Sequence, residues 1–236
     1  MIRFLYCVYQ LMVFPILVFN TILCAIITML FFPFNNSEPI HQVQIWWCRL
    51  FFYWLFIPVT VSGKENIDPK QSYVFVANHS SMFDVFLIYG WLPVVFKWLM
   101  KKELRKIPFV GTACKAAGHI YVDRSNAKAS VQSLNDIKKQ LHNGVSTVIF
   151  PEGTRSADGS LGRFHSGAFR IAFELGLPVV PLSLNGCYKV LHKGDYFAHR
   201  YPVHLHIGEP IDITNYEDRN EAIEAVRQAV ENGMRK

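Results

Sequence analysis

Residues 77–84, with the sequence ANHSSMFD, place one imidazole and one carboxylate, His79 and Asp84, directly after a short apolar segment. That segment, Ser72–Val76, is β-branched and aromatic, which predicts a buried strand, and the apolar run Val85–Tyr89 predicts a buried helix. The two side chains therefore fall on a turn from strand to helix. In α/β sheets, ligands bind at such turns, at the carboxyl ends of the strands.

The same stretch also fits a purely structural interpretation. Ser81 is followed three residues later by Asp84, which is the spacing of a helix capping box. The spacing alone does not choose between a helix cap and a functional pair, so both interpretations stay open at this point.

A second stretch, residues 148–156 with the sequence VIFPEGTRS, is an apolar strand that leads directly into a turn. Gly153 allows a backbone conformation closed to other residues and lets a ligand approach the main chain. Arg155 offers a planar set of donors suited to phosphate or carboxylate. Glu152 stands between the strand and the glycine. The stretch indicates a ligand site, and its alternative is a surface turn with a solvated ion pair.

The pattern of strands and helices repeats along the chain. Predicted strands are Val94–Trp98, Ile120–Val122, Val179–Leu184 and Val203–Ile207, and predicted helices are Asn126–His142, His165–Leu175 and Glu217–Gly233. Strands that alternate with helices predict an α/β domain with a mixed, largely parallel sheet flanked by helices.

The amino-terminal quarter of the chain differs from the remainder. Phe4–Phe34 is a long apolar segment, and it exceeds the ~20 residues that a helix needs to cross a bilayer. Val43–Val61 is again apolar and carries Trp46, Trp47 and Tyr53 together with Arg49, which favours a helix at the membrane interface. We expect two membrane-anchoring helices in residues 1–62, which either span the bilayer or lie as a hairpin in one leaflet, and a catalytic domain in residues 63–236.

Charge and cysteine content narrow the choice of partners. The formal net charge of +6 suits an anionic partner, either phospholipid headgroups, a phosphorylated substrate or nucleic acid. The five cysteines are widely spaced and form no Cys-x-x-Cys pair, which favours free thiols in a reducing compartment and no metal site. His204 and His206 alternate along a strand without a carboxylate or cysteine partner, so we interpret them as ordinary strand residues. No zinc spacing or recognition helix supports nucleic-acid binding.

Two motifs in this order resemble those of the glycerolipid acyltransferases. Asn78–Asp84 is similar to the family's His-x4-Asp motif, and Phe150–Ser156 is similar to its Phe-Pro-Glu-Gly-Thr-Arg motif. Further segments also resemble the family, namely Lys101–Leu104, Ile107–Gly111, Gly118–Arg124 and Val179–Leu182. The resemblance is greatest to the 1-acylglycerol-3-phosphate acyltransferases, and it covers most of the chain, with His165 at a position where many relatives have lysine.

The resemblance implies a reaction and a role for each site residue. His79 would act as the general base on a hydroxyl, because imidazole titrates near neutral pH, and Asp84 would hold its tautomer. Arg155 would bind the acceptor phosphate, with Lys101 and Arg124 as supporting cations. Glu152 and Gly153 would shape the acceptor site.

The implied reaction moves a fatty acyl group from acyl-CoA or an acyl carrier protein to the free hydroxyl of 1-acylglycerol-3-phosphate, with no further cofactor. Because the chain has no Gly-x-Ser-x-Gly nucleophile elbow, direct attack without an acyl-enzyme is favoured. The resemblance also implies a membrane-associated enzyme, which we expect at the cytoplasmic face. Two alternatives remain: transfer to another lysolipid or an amino-acid lipid, and a catalytically silent lipid-binding module, which the intact His79 and Asp84 argue against.

Overall fold

A computed structural model of the chain describes residues 2–31, 37–107, 110–122, 141 and 143–234. Its strands are β1 (Val59–Ser62), β2 (Val74–Ala77), β3 (Phe96–Lys101), β4 (Ile120–Val122), β5 (Ser146–Ile149), β6 (Val179–Asn185) and β7 (Val203–Ile207). Its α-helices are α1 (Ile2–Phe31), α2 (Ser37–Trp54), α3 (Phe83–Trp91), α4 (Val110–Ala116), α5 (Arg170–Leu175), α6 (Cys187–Val190) and α7 (Arg219–Met234). A 3₁₀ turn, Ser166–Phe169, precedes α5.

The strands form one sheet of seven strands in the order β1-β7-β6-β2-β5-β3-β4. The pair β6 and β7 is antiparallel, and every other neighbouring pair is parallel. The predicted mixed, largely parallel sheet is therefore confirmed. The strand order brings β2 and β5 side by side although about seventy residues separate them in the chain.

Both faces of the central strands are covered by helices. All four residues of β2 are buried, as expected for a strand between two helical layers. Phe75 and Ala77 pack in a core with residues of α2 and α3, whereas Val74 and Val76 pack in a second core with residues of α5 and α7. The sheet is therefore the middle of three layers.

Several sequence expectations differ in their bounds from the observed elements, and one cannot be compared. The strand predicted over Val94–Trp98 is β3, which begins two residues later and extends to Lys101. The helix predicted over Val43–Val61 ends at Trp54, because the chain then turns through Pro58 and β1 pairs with β7. Residues 59–62 are thus part of the sheet, and the division of the chain at residue 62 stays a prediction. The helix predicted over His165–Leu175 begins as the 3₁₀ turn. The helix predicted over Asn126–His142 lies outside the described residues.

Helix α1 has two different apolar faces. One stripe packs against the protein and includes the buried residues Val13, Leu17, Ala25 and Thr28. The opposite stripe is exposed and equally apolar, and it consists of Met12, Ile16, Phe19, Leu23, Ile26 and Leu30. Within the described part of the chain, α1 is the one helix long and apolar enough to cross a membrane. It packs against both α2 and α4, so it lies along the domain.

A buried polar cluster joins β3 and β4 to the helical layer. His119 Nδ1 accepts a hydrogen bond from Trp98 N at 3.3 Å, and its Nε2 lies 3.4 Å from the Tyr89 hydroxyl. Lys97 Nζ donates to Ala117 O at 2.7 Å. Burial, together with the nearby Lys97 and His41, lowers the pKa of His119 to about 3. The folded protein therefore holds His119 neutral.

The pKa of His119 predicts a loss of stability in acid. Unfolded histidine titrates near 6.5, so between about pH 6.5 and 3 the unfolded state binds a proton that the folded state does not. The free energy of unfolding should fall with decreasing pH across this window by about 1.4 kcal/mol per pH unit for each such proton. His41, whose pKa burial lowers to about 4, contributes in the same direction. The measurement is denaturant unfolding in detergent at several pH values.

The variant His119→Gln isolates this contribution, because glutamine does not titrate. We expect the variant to lose less stability than the unsubstituted protein on going from pH 6.5 to pH 4. Parallel stability curves for the two proteins would contradict the assignment.

Candidate active site

The two predicted ligand turns leave the sheet at the same edge. β2 ends at Ala77 and leads into His79, and β5 ends at Ile149 and leads into the turn at Glu152. Because β2 and β5 are neighbours and parallel, their carboxyl ends coincide. The sheet thereby brings together two motifs that are distant in the chain.

His79 and Asp84 form the predicted pair. His79 Nδ1 lies 2.9 Å from Asp84 Oδ2, and the Asp84 side chain is fully buried whereas 17% of the His79 side chain is exposed. Since a carboxylate accepts hydrogen bonds, this contact keeps the proton on Nδ1 and leaves the lone pair on Nε2. The pair can therefore take a proton at Nε2.

The same carboxylate oxygen also holds the backbone of the turn. Asp84 Oδ2 accepts from Ser80 N at 2.6 Å and from Ser81 N at 2.7 Å. Ser81 Oγ in turn accepts from Phe83 N at 3.1 Å. These are the contacts of a cap at the first turn of α3. The helix-cap and functional-pair interpretations are thus compatible, because one carboxylate satisfies both.

An aromatic stack fixes the plane of the imidazole. The His79 ring lies parallel to the Phe150 ring with centroids 4.0 Å apart, and Phe150 stacks in turn on Trp98 at 5.6 Å. Stacked rings restrict rotation about the side-chain bonds. Sequence analysis did not assign this role to Phe150 or Trp98, and the only signal was the position of Phe150 at the end of a strand.

Glu152 connects the second motif to the first. Its Oε1 accepts from His79 N at 2.7 Å, its Oε2 accepts from Gly162 N at 2.9 Å, and Ser156 N donates to His79 O at 2.8 Å. Burial raises the pKa of Glu152 above its ordinary value, and the two backbone N–H groups oppose that change. A Cβ at Gly162 would lie 2.7 Å from Glu152 Oε2, so the loop approaches the carboxylate closely. Glu152 positions the backbone of His79.

The next residues of the turn present a cation at the rim. Gly153 has a φ of 74°, a conformation that favours glycine and that the sequence predicted. Arg155 is half-buried, and within the described residues its guanidinium has no hydrogen bond or ion pair. The N–H groups of the Arg155 guanidinium are therefore available to donate hydrogen bonds to a ligand.

The other two predicted cations are only partly located. Lys101 is the last residue of β3, at the same sheet edge as His79, but its side chain is outside the described part. β4 ends at Val122, and Arg124 lies outside the described residues. Their roles stay predictions.

Asn78 and Cys187, for which the sequence predicted no role, contact the backbone and the carboxylate of the site. Asn78 makes two hydrogen bonds to the backbone of Leu184, Nδ2 to O at 3.0 Å and Leu184 N to Oδ1 at 2.8 Å, which join β2 to β6. Cys187 is fully buried, and burial first and the Asp84 carboxylate second raise its thiol pKa well above the ordinary value. The thiol therefore stays protonated beside Asp84.

Three further histidines, His165, His204 and His206, lie apart from this pair. His204 and His206 contact the hydroxyl of Ser62 across the β1–β7 pair. His165 lines an open cleft of about 710 Å³ between residues 161–167 and α7, which none of the described site residues lines. Among the described residues, no three His, Cys, Asp or Glu side chains are grouped so that they could hold a metal ion.

The known proteins that this chain resembles in sequence and in structure carry similar descriptions. A solved structure described as the 1-acyl-sn-glycerophosphate (LPA) acyltransferase PlsC from Thermotoga maritima superposes with a TM-score of 0.85 at 28% identity, covering 100% of this chain and 98% of that one. A 1-acyl-sn-glycerol-3-phosphate acyltransferase of Limnanthes alba is 32% identical over 69% of this chain and 58% of its own length. One of Pseudomonas aeruginosa is 35% identical over 59% of this chain and 55% of its own.

The chain thus spans little more than half the length of these two curated relatives. A family model described as Acyltransferase matches residues 58–185, which is more than half of the chain and includes both motifs of the site. On this match and the shared fold, the chain belongs to the Acyltransferase family.

Proposed function

We propose that this protein is a membrane-associated acyltransferase that acylates the free hydroxyl of 1-acylglycerol-3-phosphate and forms phosphatidic acid, a step of phospholipid biosynthesis. The observation that carries the proposal is the hydrogen-bonded pair of His79 and Asp84 at the same sheet edge as Arg155, which has no ion-pair partner among the described residues. A base beside a phosphate-binding cation is what transfer to a phosphorylated alcohol requires. The names of the relatives support the choice of acceptor.

His79 is the base of the proposed reaction. Nε2 takes the proton of the acceptor hydroxyl while the hydroxyl oxygen attacks the thioester carbonyl carbon. The carbon–sulfur bond then breaks, and the departing thiolate takes that proton from the imidazolium. Asp84, bonded to Nδ1 at 2.9 Å, stabilises the imidazolium as it forms. No acyl-enzyme is needed, because the acceptor oxygen is itself the nucleophile.

The acceptor phosphate binds to Arg155, with Lys101 and Arg124 as further cations. Arg155 follows Gly153, whose left-handed backbone turns the chain at the rim of the sheet, and Glu152 holds that turn against His79. The two turns that carry His79 and Arg155 are connected by two hydrogen bonds, which supports this assignment. The donor is a thioester of coenzyme A or of an acyl carrier protein.

The exposed stripe of α1 is the membrane contact in this proposal. Six apolar side chains over this helix face water unless lipid covers them, and an exposed apolar area of that extent is uncommon on a soluble protein. Because α1 packs along its length on α2 and α4, we place it within one leaflet, on the cytoplasmic side, with the site at the surface of the same leaflet.

His79→Ala should abolish turnover without unfolding the protein. Loss of a general base reduces the rate by about 10²–10⁴-fold. Asp84→Asn should lose activity and also some stability, because the amide cannot replace the acceptor of three hydrogen bonds. The measurements are acyl transfer per folded molecule and thermal unfolding in detergent. His204→Ala, on β7, is the control and should keep its activity. An active His79→Ala protein would refute the assignment of the base.

Arg155→Ala should weaken the use of the acceptor and leave the donor unaffected. A charge-assisted hydrogen bond is worth about 1.5–3 kcal/mol, which corresponds to roughly 10- to 100-fold in the acceptor kcat/KM. Arg155→Lys should recover only part of this, because a point charge replaces a planar group. The measurement is steady-state kinetics with each substrate varied in turn.

Arg163→Ala is the matched control for Arg155, since this exposed arginine on the following loop lines the separate cleft. It should keep the acceptor kcat/KM. A panel of lysolipids, an amino-acid lipid and a neutral monoacylglycerol tests the acceptor itself. Equal use of the monoacylglycerol would refute the phosphate role of Arg155 and favour the alternative acceptors.

Polar substitutions in the exposed stripe of α1 should release the protein from membranes. We expect Met12→Gln, Phe19→Gln and Leu30→Gln together to make the protein extractable at alkaline pH, because they remove three of the largest exposed apolar groups. The measurement is the fraction that remains with membranes after a carbonate wash. A triple variant retained as fully as the unsubstituted protein would contradict the membrane role of this face.

A further inference from the structure

The loop between α6 and β7, residues 191–202, is the feature that the proposed reaction does not use. Its sequence, LHKGDYFAHRYP, combines basic and aromatic residues. Tyr196 is 95% exposed, and Lys193 and Arg200 are exposed as well. We call this segment the basic loop.

The basic loop is attached to the amino end of α1. Gln10 makes two hydrogen bonds to the Ala198 backbone, Nε2 to O at 3.0 Å and Ala198 N to Oε1 at 2.8 Å. The Arg3 guanidinium lies 2.6 Å from His199 Nδ1. Arg3 and Gln10, both in the amino-terminal part of α1, are thus directed to this loop. Phe4 and Leu5, which follow Arg3 in α1, are exposed.

The other end of the basic loop is attached to the active site. Ser81, within the His79–Asp84 turn, donates from Oγ to Leu191 O at 2.6 Å. Tyr188, just before the loop, donates to Ala157 O at 3.1 Å, on the segment that follows Arg155. Arg200 Nε donates a hydrogen bond to Phe56 O at 3.1 Å, two residues after the end of α2. The loop thus joins α1 to the His79–Asp84 turn, and Tyr188 of α6 contacts the segment after Arg155.

The charge of this region is positive. Asp195 is its acidic residue, and it pairs with His192 at 2.8 Å and faces His199 at 3.8 Å. The basic residues of the region are Arg3, Lys189, Lys193 and Arg200. The Nζ atom of Lys189 lies over the Tyr201 ring, 4.7 Å from its centroid. Aromatic side chains favour the membrane–water interface, and basic side chains favour anionic headgroups.

We propose that the basic loop binds the anionic phospholipid headgroups of the leaflet that holds α1, and that this contact sets the catalytic turns against the lipid surface. The proposal rests on the membrane association proposed above. Charge complementarity and the attachment of the loop to the amino end of α1, the helix that carries the exposed apolar stripe, identify a lipid surface as its partner. Because Leu191 is bonded to Ser81, docking of the loop orients the rim at which a lysophospholipid enters.

The test measures lipid contact and not acyl transfer. The full-length protein is reconstituted in vesicles of phosphatidylcholine alone or with phosphatidylglycerol, after a fluorophore has been attached at Tyr196→Cys. Quenching by a headgroup spin-labelled lipid reports contact, and labelling of the unsubstituted protein gives the background of its five cysteines. We expect strong quenching at position 196 only when phosphatidylglycerol is present, and its loss at high salt.

Lys193→Glu should shift the docking equilibrium of the loop by about fivefold for each unit of charge removed near the surface. Lys64→Glu is the matched control. This exposed lysine follows the carboxyl end of β1, whereas the basic loop precedes the amino end of the parallel neighbour β7, so the two lie at opposite ends of this strand pair. The substitution should leave quenching at position 196 unchanged. A probe at Gln228→Cys on α7, on the other face of the sheet, should remain unquenched.

A further probe at Phe19→Cys on the exposed stripe of α1, read with a spin label in the acyl chain, separates the possible failures. Quenching at position 19 without quenching at 196 would overturn the loop proposal and leave the membrane association intact. Equal quenching at 196 in both lipids would overturn the selectivity for anionic headgroups. No quenching at position 19 would overturn the membrane association and the loop proposal together.

Discussion

The buried carboxylate of Asp84 is the contact on which the site depends. An ionised carboxylate without solvent needs hydrogen-bond donors to offset the free energy of its desolvation. Its Oδ2 receives three, from the His79 ring and from the backbone N–H groups of Ser80 and Ser81. The same geometry therefore provides the donors to Oδ2 and the hydrogen bond that the imidazole needs, whereas Asp84 Oδ1 has no hydrogen-bond partner within the described residues. The turn cannot relax without leaving the carboxylate unpaired, and so the position of the His79 ring follows from the start of α3.

The second constraint is the adjacency of β2 and β5. It lets Glu152 reach the His79 backbone N–H, so that a second, largely buried carboxylate braces the same turn from the other motif. Asn78 ties β2 to β6 on the opposite side. The imidazole is consequently held by contacts from three neighbouring strands, and its ring stacks on an aromatic pair from β3 and the end of β5. Such support fixes the His79 ring in one geometry, as the base proposed for this site requires.

The amino-terminal helices are integrated with this framework. Phe52 and Cys48 of α2 are fully buried in the core that also contains α3, and β1, directly after α2, is hydrogen-bonded to β7. α1 is bonded to α2 through Trp47 and Thr21 at 3.0 Å. The helix proposed to contact lipid and the candidate site are thus parts of one packed body. Removal of residues 1–61 would open the core and delete most of an edge strand, so it would not simply detach an anchor.

The sequence by itself determined the fold class and the two motifs, because strand and helix periodicity, the apolar composition of Phe4–Phe34 and the spacing of His79 and Asp84 are local properties. It also placed β4 and β7 at their observed bounds. Tertiary structure alone decided the strand order, the end of α2 at Trp54, the stacking of His79 on Phe150 and the contact of Glu152 with the His79 backbone. Those contacts join residues far apart in the chain, and their geometry follows from sheet pairing. The sequence likewise could not choose between a cap and a functional pair at Asp84, because only the folded turn shows that one oxygen atom serves both.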